Sequence, residues 1–363
     1  MPSYFACFAV SPPGLESIVF QELLSLGLTP KRQQGGVSFQ GTLEDLYRAN
    51  LWLRTASRIL IRIGTFKALS FKELVTRSAR YPWEIYLAEA QEIRLRVTCR
   101  RSKLYHSKAV AERILKGIES RLGKALEISS AESAPLLIVR LFKDTVLLRI
   151  DSSGQDLFKR GYKVAPGPAP IRENLAAALI YLSGWDKGAP LVDPFCGTGT
   201  IPIEAAMISA NIAPGLRRSF AFQRWKNFDP SLWEELREKA KQQIKPPSSK
   251  IWANDRAREA IQAAHLNAQA AGVKDLIHFS QKDISLFFPP SSQGFVVTNP
   301  PYGRRLSTDI RGKFASFLRR WLPFWKIVFV SPHRTPLKGF KAEILASFDH
   351  GGRRVYAFKA ALP

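Results

Sequence analysis

Cysteine and methionine are scarce in this chain of 363 residues, with three of the first and two of the second. Cys7, Cys99 and Cys196 stand far apart, and so sparse and odd a set argues against a disulfide framework. Five histidines are present, none at metal-ligand spacing from a cysteine or carboxylate, so no metal is expected. No apolar run approaches the roughly 20 residues of a membrane span, and no membrane partner is expected. The opening MPSYFACFAVSPPGLES lacks the basic region and cleavage pattern of a secretory signal. A cytoplasmic, monomeric protein is the expectation.

Acidic residues are the other shortage. Against 54 Lys and Arg stand 30 Asp and Glu, a formal net charge of +24. A field of that size attracts polyanions and makes their binding depend on salt, which points to nucleic acid. The excess is concentrated in RLRVTCRRSKLYHSK, where six cations occur without an acid. Arg94, Arg96, Arg100, Arg101, Lys103 and Lys108 are therefore candidate RNA contacts, with Tyr105 or His106 placed to stack on an exposed base. A solvated strand face would show the same arginines.

The rhythm of elements changes partway along. Before residue 160, helical spacing in GLESIVFQELLSLGL, LEDLYRANLWL and KAVAERILKGIESRLG mixes with strand-like GGVSFQG and RILIRIGTF. PLLIVRLFKDTVLLRID reads as a hairpin turning at Lys143-Asp144. These imply a compact α+β region. A proline- and glycine-rich stretch at 161–170 reads as a linker. After it, strand and helix alternate from PLVDPF through IWAND, IHFSQKD and FVVTNPP to KIVFV, the pattern of a doubly wound, mainly parallel sheet. Residues 211–250 interrupt this pattern with an insertion expected to be largely helical.

Two glycines, Gly197 and Gly199, lie between a strand and a helix in VDPFCGTGTIPIEAA, where they let the backbone turn tightly against a ligand. A dinucleotide fingerprint would place a third glycine where Pro202 stands. The next strand-end acid, Asp255, comes 56 residues after Gly199, against about 20 in that fingerprint. A P-loop is excluded, because no Gly-Lys-Ser/Thr follows. Asp255 can accept hydrogen bonds from both hydroxyls of a ribose, Asp283 from an adenine amine, and Asp193 can face an ammonium. Cys196 sits in this turn rather than in a substrate loop, so it reads as a small packing residue. The remaining motif is Asn299-Pro300-Pro301-Tyr302, directly after a β-branched run.

DPFCGTGTIPIEAA, NDRAREAIQAAHLNAQAAG and TNPPYGRRL resemble the motifs of class I S-adenosylmethionine-dependent methyltransferases. The chain as a whole is similar to bacterial THUMP-domain RNA guanine-N2 methyltransferases, through GGVSFQGTLEDLYRANLWLRTASRIL, SKLYHS, DSSGQDLFKRGY and APGLRRSFAFQRW as well. The resemblance implies an α/β fold, a Rossmann-like methyltransferase domain preceded by a smaller α+β THUMP-type RNA-binding region. It divides the chain into a ferredoxin-like segment at 1–60, a THUMP-like domain at 61–160, the linker, and a methyltransferase domain at 171–363. It implies S-adenosyl-L-methionine as cofactor, bound by Asp193, Phe195, Cys196, Gly197, Thr198, Gly199, Thr200, Asp255, Arg256, Asp283, Ile284 and Asn299. Asn299, Pro300 and Tyr302 would be catalytic. The first two would accept hydrogen bonds from the reacting amine, and the Tyr302 ring would stack on an extruded base. The implied substrate is a guanine in structured RNA, 23S ribosomal RNA first and transfer RNA second. Adenine N6, a protein glutamine, and a non-catalytic RNA-binding or ribosome-assembly role are the competing readings. The chain departs from the family where an acidic residue commonly follows the loop glycine; here stand Arg304 and Arg305.

Overall fold

The computed structural model describes residues 4–167, 170–288, 290–301, 308–335 and 339–361. Tyr302, Arg304 and Arg305 lie outside the described residues.

The first half opens with β1 (Phe5–Val10), α1 (Glu16–Ser25), β2 (Lys31–Gln33), β3 (Gly36–Gly41), α2 (Leu43–Trp52) and β4 (Arg58–Lys67). There follow α3 (Phe71–Ser78), α4 (Glu84–Leu87), β5 (Glu92–Arg100), α5 (Ser107–Leu122), β6 (Glu127–Ile128), β7 (Leu136–Phe142) and β8 (Thr145–Asp151). Local chemistry sets several boundaries. Thr42 caps α2 by accepting from the Asp45 amide, while the Asp45 carboxylate accepts from the Thr42 amide at 2.9 Å. Lys143 and Asp144 both take positive φ, as a two-residue hairpin between twisted strands requires.

All eight strands form one sheet in the order β2-β3-β1-β4-β8-β7-β5-β6. Strand β4 runs through residue 60 and pairs with β1 on one side and β8 on the other, so residues 1–60 and 61–160 contribute to one continuous layer. Side chains alternate across a sheet. One face carries Ile59, Ile61, Leu137, Val139, Leu148 and Ile150, all buried in a single core with Leu46, Leu74, Ile114 and Ile118 of the helices. The other face carries the arginines of β4, β5, β7 and β8.

The second half contains α6 (Glu173–Leu182), β9 (Leu191–Asp193), α7 (Thr200–Ser209), α8 (Pro230–Gln242), β10 (Ile251–Asp255), α9 (Arg258–Ala271), β11 (Ile277–Gln281), β12 (Gly294–Thr298), α10 (Thr308–Trp321), β13 (Trp325–Ser331), β14 (Lys341–His350) and β15 (Arg353–Ala361). Its sheet runs β11-β10-β9-β12-β13-β15-β14. The first five strands are parallel, and β15 joins β13 antiparallel. Strand order reverses beside β9, which creates a crevice at the carboxyl ends of β9 and β12, the usual ligand position in such sheets. The terminal hairpin went unread in the sequence, although Gly351-Gly352 between two alternating runs is a hairpin signal.

The insertion at 211–250 is less helical than expected. Helix is confined to α8 and a single 3-10 turn at Ala221–Arg224. Its aromatics instead join the first-half core: Phe220, Phe222, Trp225 and Trp233 are buried there, with the Phe222 ring stacked 4.4 Å from that of Tyr47.

Candidate active site

Four adjacent strands, β11-β10-β9-β12, deliver polar side chains to one cavity of about 710 Å³, a size suited to a small-molecule ligand. Asp193 ends β9, Asp255 ends β10, Asp283 follows β11 by two residues, and Asn299 follows β12 directly. A parallel sheet places such residues on one rim, because every strand ends on the same side.

The Asp193 carboxylate is fully buried. Its Oδ1 accepts from the Thr298 hydroxyl at 2.6 Å and from the Phe195 amide at 3.1 Å, which ties the β9 turn to β12. Burial pushes its pKa up to about 7, against those two hydrogen bonds, with a smaller contribution from the Asp255 charge. Asp255 clamps the turn from the other side. Its Oδ2 accepts from the Gly197 amide at 3.0 Å and its Oδ1 from the Ala257 amide at 3.0 Å. Each oxygen retains lone-pair capacity for a ligand donor. Asp283 is held low, at about 2, by the Ser285 amide and hydroxyl and then by Lys313, whose Nζ lies 3.1 Å from Oδ2.

The turn between β9 and α7 depends on its glycines. Gly197 sits at φ +52 and Gly199 at φ +84, and a Cβ on Gly199 would come within 3.0 Å of the Ala264 methyl. Burial drives the Cys196 thiol well above its usual range, as befits a packing residue.

Asp193, Phe195, Cys196, Gly197, Thr198, Thr200, Asp255, Arg256, Asp283, Ile284, Asn299 and Pro300 all line this cavity. Gly199 does not; it serves as the N-cap of α7 and as the close-approach point to α9. Tyr302 falls outside the described residues. Among the described residues, the Asn299 side-chain oxygen is buried without a hydrogen-bond partner. A buried acceptor left unmet costs roughly 1–3 kcal/mol, and one on a cavity wall is available to a ligand donor.

Sequence reading missed the supports. Asn267 of α9 is fully buried, and its Oδ1 accepts from the amides of Val164 and Ala165 at 2.9 and 2.8 Å. Its Nδ2 donates to the Ala165 and Thr198 carbonyls, both at 3.1 Å. One amide thus staples the 161–170 stretch to the glycine turn, and Pro166, Gly167 and Pro170 form part of the cavity wall. Asn254 is buried too: it donates to the Pro194 and Lys282 carbonyls and accepts from the Ser280 hydroxyl at 2.7 Å. Asn at a strand end in NDRA was a visible signal for the second support; nothing local marked Asn267.

The six candidate RNA contacts lie elsewhere, in two groups. Arg94, Arg96 and Arg100 stand on the helix-free face of β5, the last two exposed. Arg101 and Lys103 are exposed in the following loop, and Lys108 is exposed in the first turn of α5. Among the described residues no cluster of His, Cys, Asp and Glu could hold a metal, and no helix is long and apolar enough to cross a membrane.

Comparison with known proteins adds the lineage. Residues 160–319 match the model of the RMKL-like methyltransferase domain, and residues 6–60 match that of the RlmL ferredoxin-like domain. The chain is 38% identical over 308 residues to "Putative RNA methyltransferase YpsC" of Bacillus subtilis (strain 168), covering 83% of this chain and 80% of that one. It is 36% identical to the ribosomal RNA large subunit methyltransferase K/L of Psychromonas ingrahamii, covering 85% of this chain but only 42% of that longer enzyme. The solved structure of SMU.472, described as "a putative methyltransferase complexed with SAH", superposes with a TM-score of 0.85 at 31% identity, covering 100% of this chain and 99% of that one.

Proposed function

This chain belongs to the family of RMKL-like methyltransferases, which use S-adenosylmethionine as methyl donor, and from that premise we propose that it methylates the exocyclic N2 amine of a guanine in structured RNA, the large-subunit ribosomal RNA. The observation that carries the proposal is the Asn299 oxygen, buried and without a partner among the described residues, on the wall that also presents Asp193, Asp255 and Asp283.

Three carboxylates on neighbouring strand ends match the donor groups of the cofactor. Asp255 would accept from the ribose hydroxyls, Asp283 from the adenine amine, and Asp193 would face the ammonium. Phe195, Ile284 and the turn from Cys196 to Thr200 would enclose the remainder, with Arg256 beside Asp255. When bound, the cofactor supplies a methyl group already activated by a positive sulfur. The protein's task is then alignment. The Asn299 oxygen and the Pro300 carbonyl accept from the amine, hold its lone pair toward the methyl group, and stabilise the positive charge that develops on nitrogen. Tyr302 supplies a ring for the extruded base.

Arg94, Arg96, Arg100, Arg101, Lys103 and Lys108 serve as RNA contacts in this reading. The division at residues 60, 160 and 170 separates the RNA-anchoring part from the catalytic part. Three free cysteines accord with a reducing, cytoplasmic setting. The names of the K/L relatives favour large-subunit ribosomal RNA over transfer RNA.

The test is incubation with labelled S-adenosylmethionine and RNA from cells lacking the protein, followed by nucleoside mass spectrometry. N2-methylguanosine at one position of the large-subunit RNA is expected. N6-methyladenosine, or label confined to transfer RNA, would replace the substrate assignment, and no incorporation into any RNA would refute it.

A further inference from the structure

The open face of the first sheet carries a charge arrangement that the fold does not need. Antiparallel registry puts Arg62 of β4 directly opposite Arg149 of β8, and Ile138 of β7 and Arg96 of β5 continue that row. The next row is Thr65, Leu147, Arg140 and Thr98; beyond it come Lys67, Thr145, Phe142 and Arg100. Like charges placed directly opposite on a sheet destabilise it. Among the described residues, none of Arg62, Lys67, Arg96, Arg100, Arg140 and Arg149 has a carboxylate partner within 4.0 Å. The row on the other side of Arg62 holds one acid, Asp151, which is buried and ion-paired with Arg58 at 2.5 Å.

Arg149 is the most constrained of the set. Its guanidinium lies 4.2 Å over the Phe8 ring, and burial, then Arg140 and Arg62, lowers its pKa to about 10. Arg140 is likewise held over Phe142 at 5.5 Å. These contacts fix the positions of two guanidiniums that no carboxylate of the described residues pairs with, a preorganised arrangement for bidentate phosphate binding.

We propose that this face, centred on Arg62, Arg140 and Arg149, binds the phosphodiester backbone of the RNA substrate. The proposal rests on the RNA reading above and deepens it. Exposed threonines at 65 and 98 supply hydroxyls beside the guanidiniums, and Arg100 leads from the sheet into the basic loop with exposed Tyr105. Both rings on the face are occupied by cations, so the face reads the backbone and leaves base recognition to the catalytic cavity.

The experiment compares wild-type protein with the triple variant Arg62→Gln, Arg140→Gln, Arg149→Gln. Binding to fluorescent poly(uridine) and to fluorescent fragments of large-subunit ribosomal RNA is followed against salt. Loss of three phosphate contacts should reduce the slope of log K against log salt by about 2, at roughly 0.7 per phosphate for a single strand. Affinity for S-adenosylmethionine should not change, and thermal stability should hold or rise as repulsion is relieved. A control variant, Lys245→Gln, Lys250→Gln, Lys274→Gln, removes equal charge at the amino ends of β10 and β11 and should keep the wild-type slope. An unchanged slope in the arginine variant, or an equal drop in the control, overturns the proposal while wild-type methylation of RNA leaves the parent reading standing. Wild-type protein that neither binds nor methylates RNA overturns both. Phenylglyoxal footprinting of wild-type protein gives a readout independent of variant folding: Arg62 and Arg140 should be shielded when RNA is added, and reactivity unaltered by RNA refutes the face.

Discussion

Replacing Asn299 by Ala separates stability from turnover in a way that the structure makes quantitative. A side chain kept for its packing or its turn would cost stability when removed. Among the described residues the Asn299 oxygen instead has no hydrogen-bond partner, so truncation breaks no acceptor bond that holds the fold together. The free protein should therefore melt within about 2–4 °C of wild type. The Asp193, Asp255 and Asp283 carboxylates are untouched, so cofactor affinity should move by less than about tenfold, or roughly 1.4 kcal/mol. Methyl transfer should fall much further, by about 10²–10³, the cost of one preorganised acceptor at the developing charge. The assay is single-turnover methylation at saturating cofactor, with cofactor affinity by calorimetry and melting by scanning fluorimetry on the same preparation. Asn299→Asp keeps an acceptor in place and should retain part of the rate. Near-normal turnover by Asn299→Ala would refute the catalytic assignment. Loss of stability and cofactor binding in parallel with turnover would mark the residue as a structural turn.

Asp255→Ala removes the clamp on Gly197 together with the proposed ribose acceptors; two charge-assisted hydrogen bonds at about 1.5 kcal/mol or more each predict at least a 10²-fold weaker cofactor by calorimetry, and unchanged affinity would displace Asp255 from the site. The folded pKa of Asp193, raised to about 7, lies above the ordinary carboxylate value near 3.9. Its stabilising share is therefore full below pH 4 and is lost as pH rises toward 7. Asp193→Asn should flatten denaturant-measured stability across that window, and it should also abolish any rise in cofactor affinity between pH 6 and 8; a variant with the wild-type pH profile contradicts this. Asn267→Ala removes four hydrogen bonds to backbone groups, three of them part-buried and the one to Thr198 buried, so a loss of about 2–4 kcal/mol is expected, along with weaker cofactor binding as the Pro166–Gly167 wall loosens. If both quantities stay at wild-type levels, the staple does not shape the cavity.

Much of the second half was legible because its information is local. A β-branched run followed by Asp-Pro or Asn-Pro identifies a strand end, and repeated strand–helix alternation implies parallel strands whose carboxyl ends share a rim. Asp193, Asp255, Asp283 and Asn299 could thus be assembled on paper before any coordinates. The Lys143-Asp144 hairpin was readable for the same reason, since a few neighbouring residues suffice to specify it. The shortage of acid likewise announced a polyanionic partner, without saying where it would lie.

What only the tertiary structure decided involves residues whose partners are remote in sequence. The aromatics of the insertion pack around Tyr47 instead of extending a helix, because the first-half core offers them a larger apolar surface. Asn267 becomes the support of the cavity wall only when α9 is laid against a stretch some hundred residues earlier. Arg62 and Arg149 become a like-charged pair only through the register of β4 with β8, and a shift of one residue would turn either side chain to the opposite face. Composition and periodicity determine which residue types are present and which way they alternate. Register and packing determine which of them meet, and among the described residues those meetings set both the unpartnered acceptor on the wall of the proposed cofactor cavity and the arginines without a carboxylate on the open sheet.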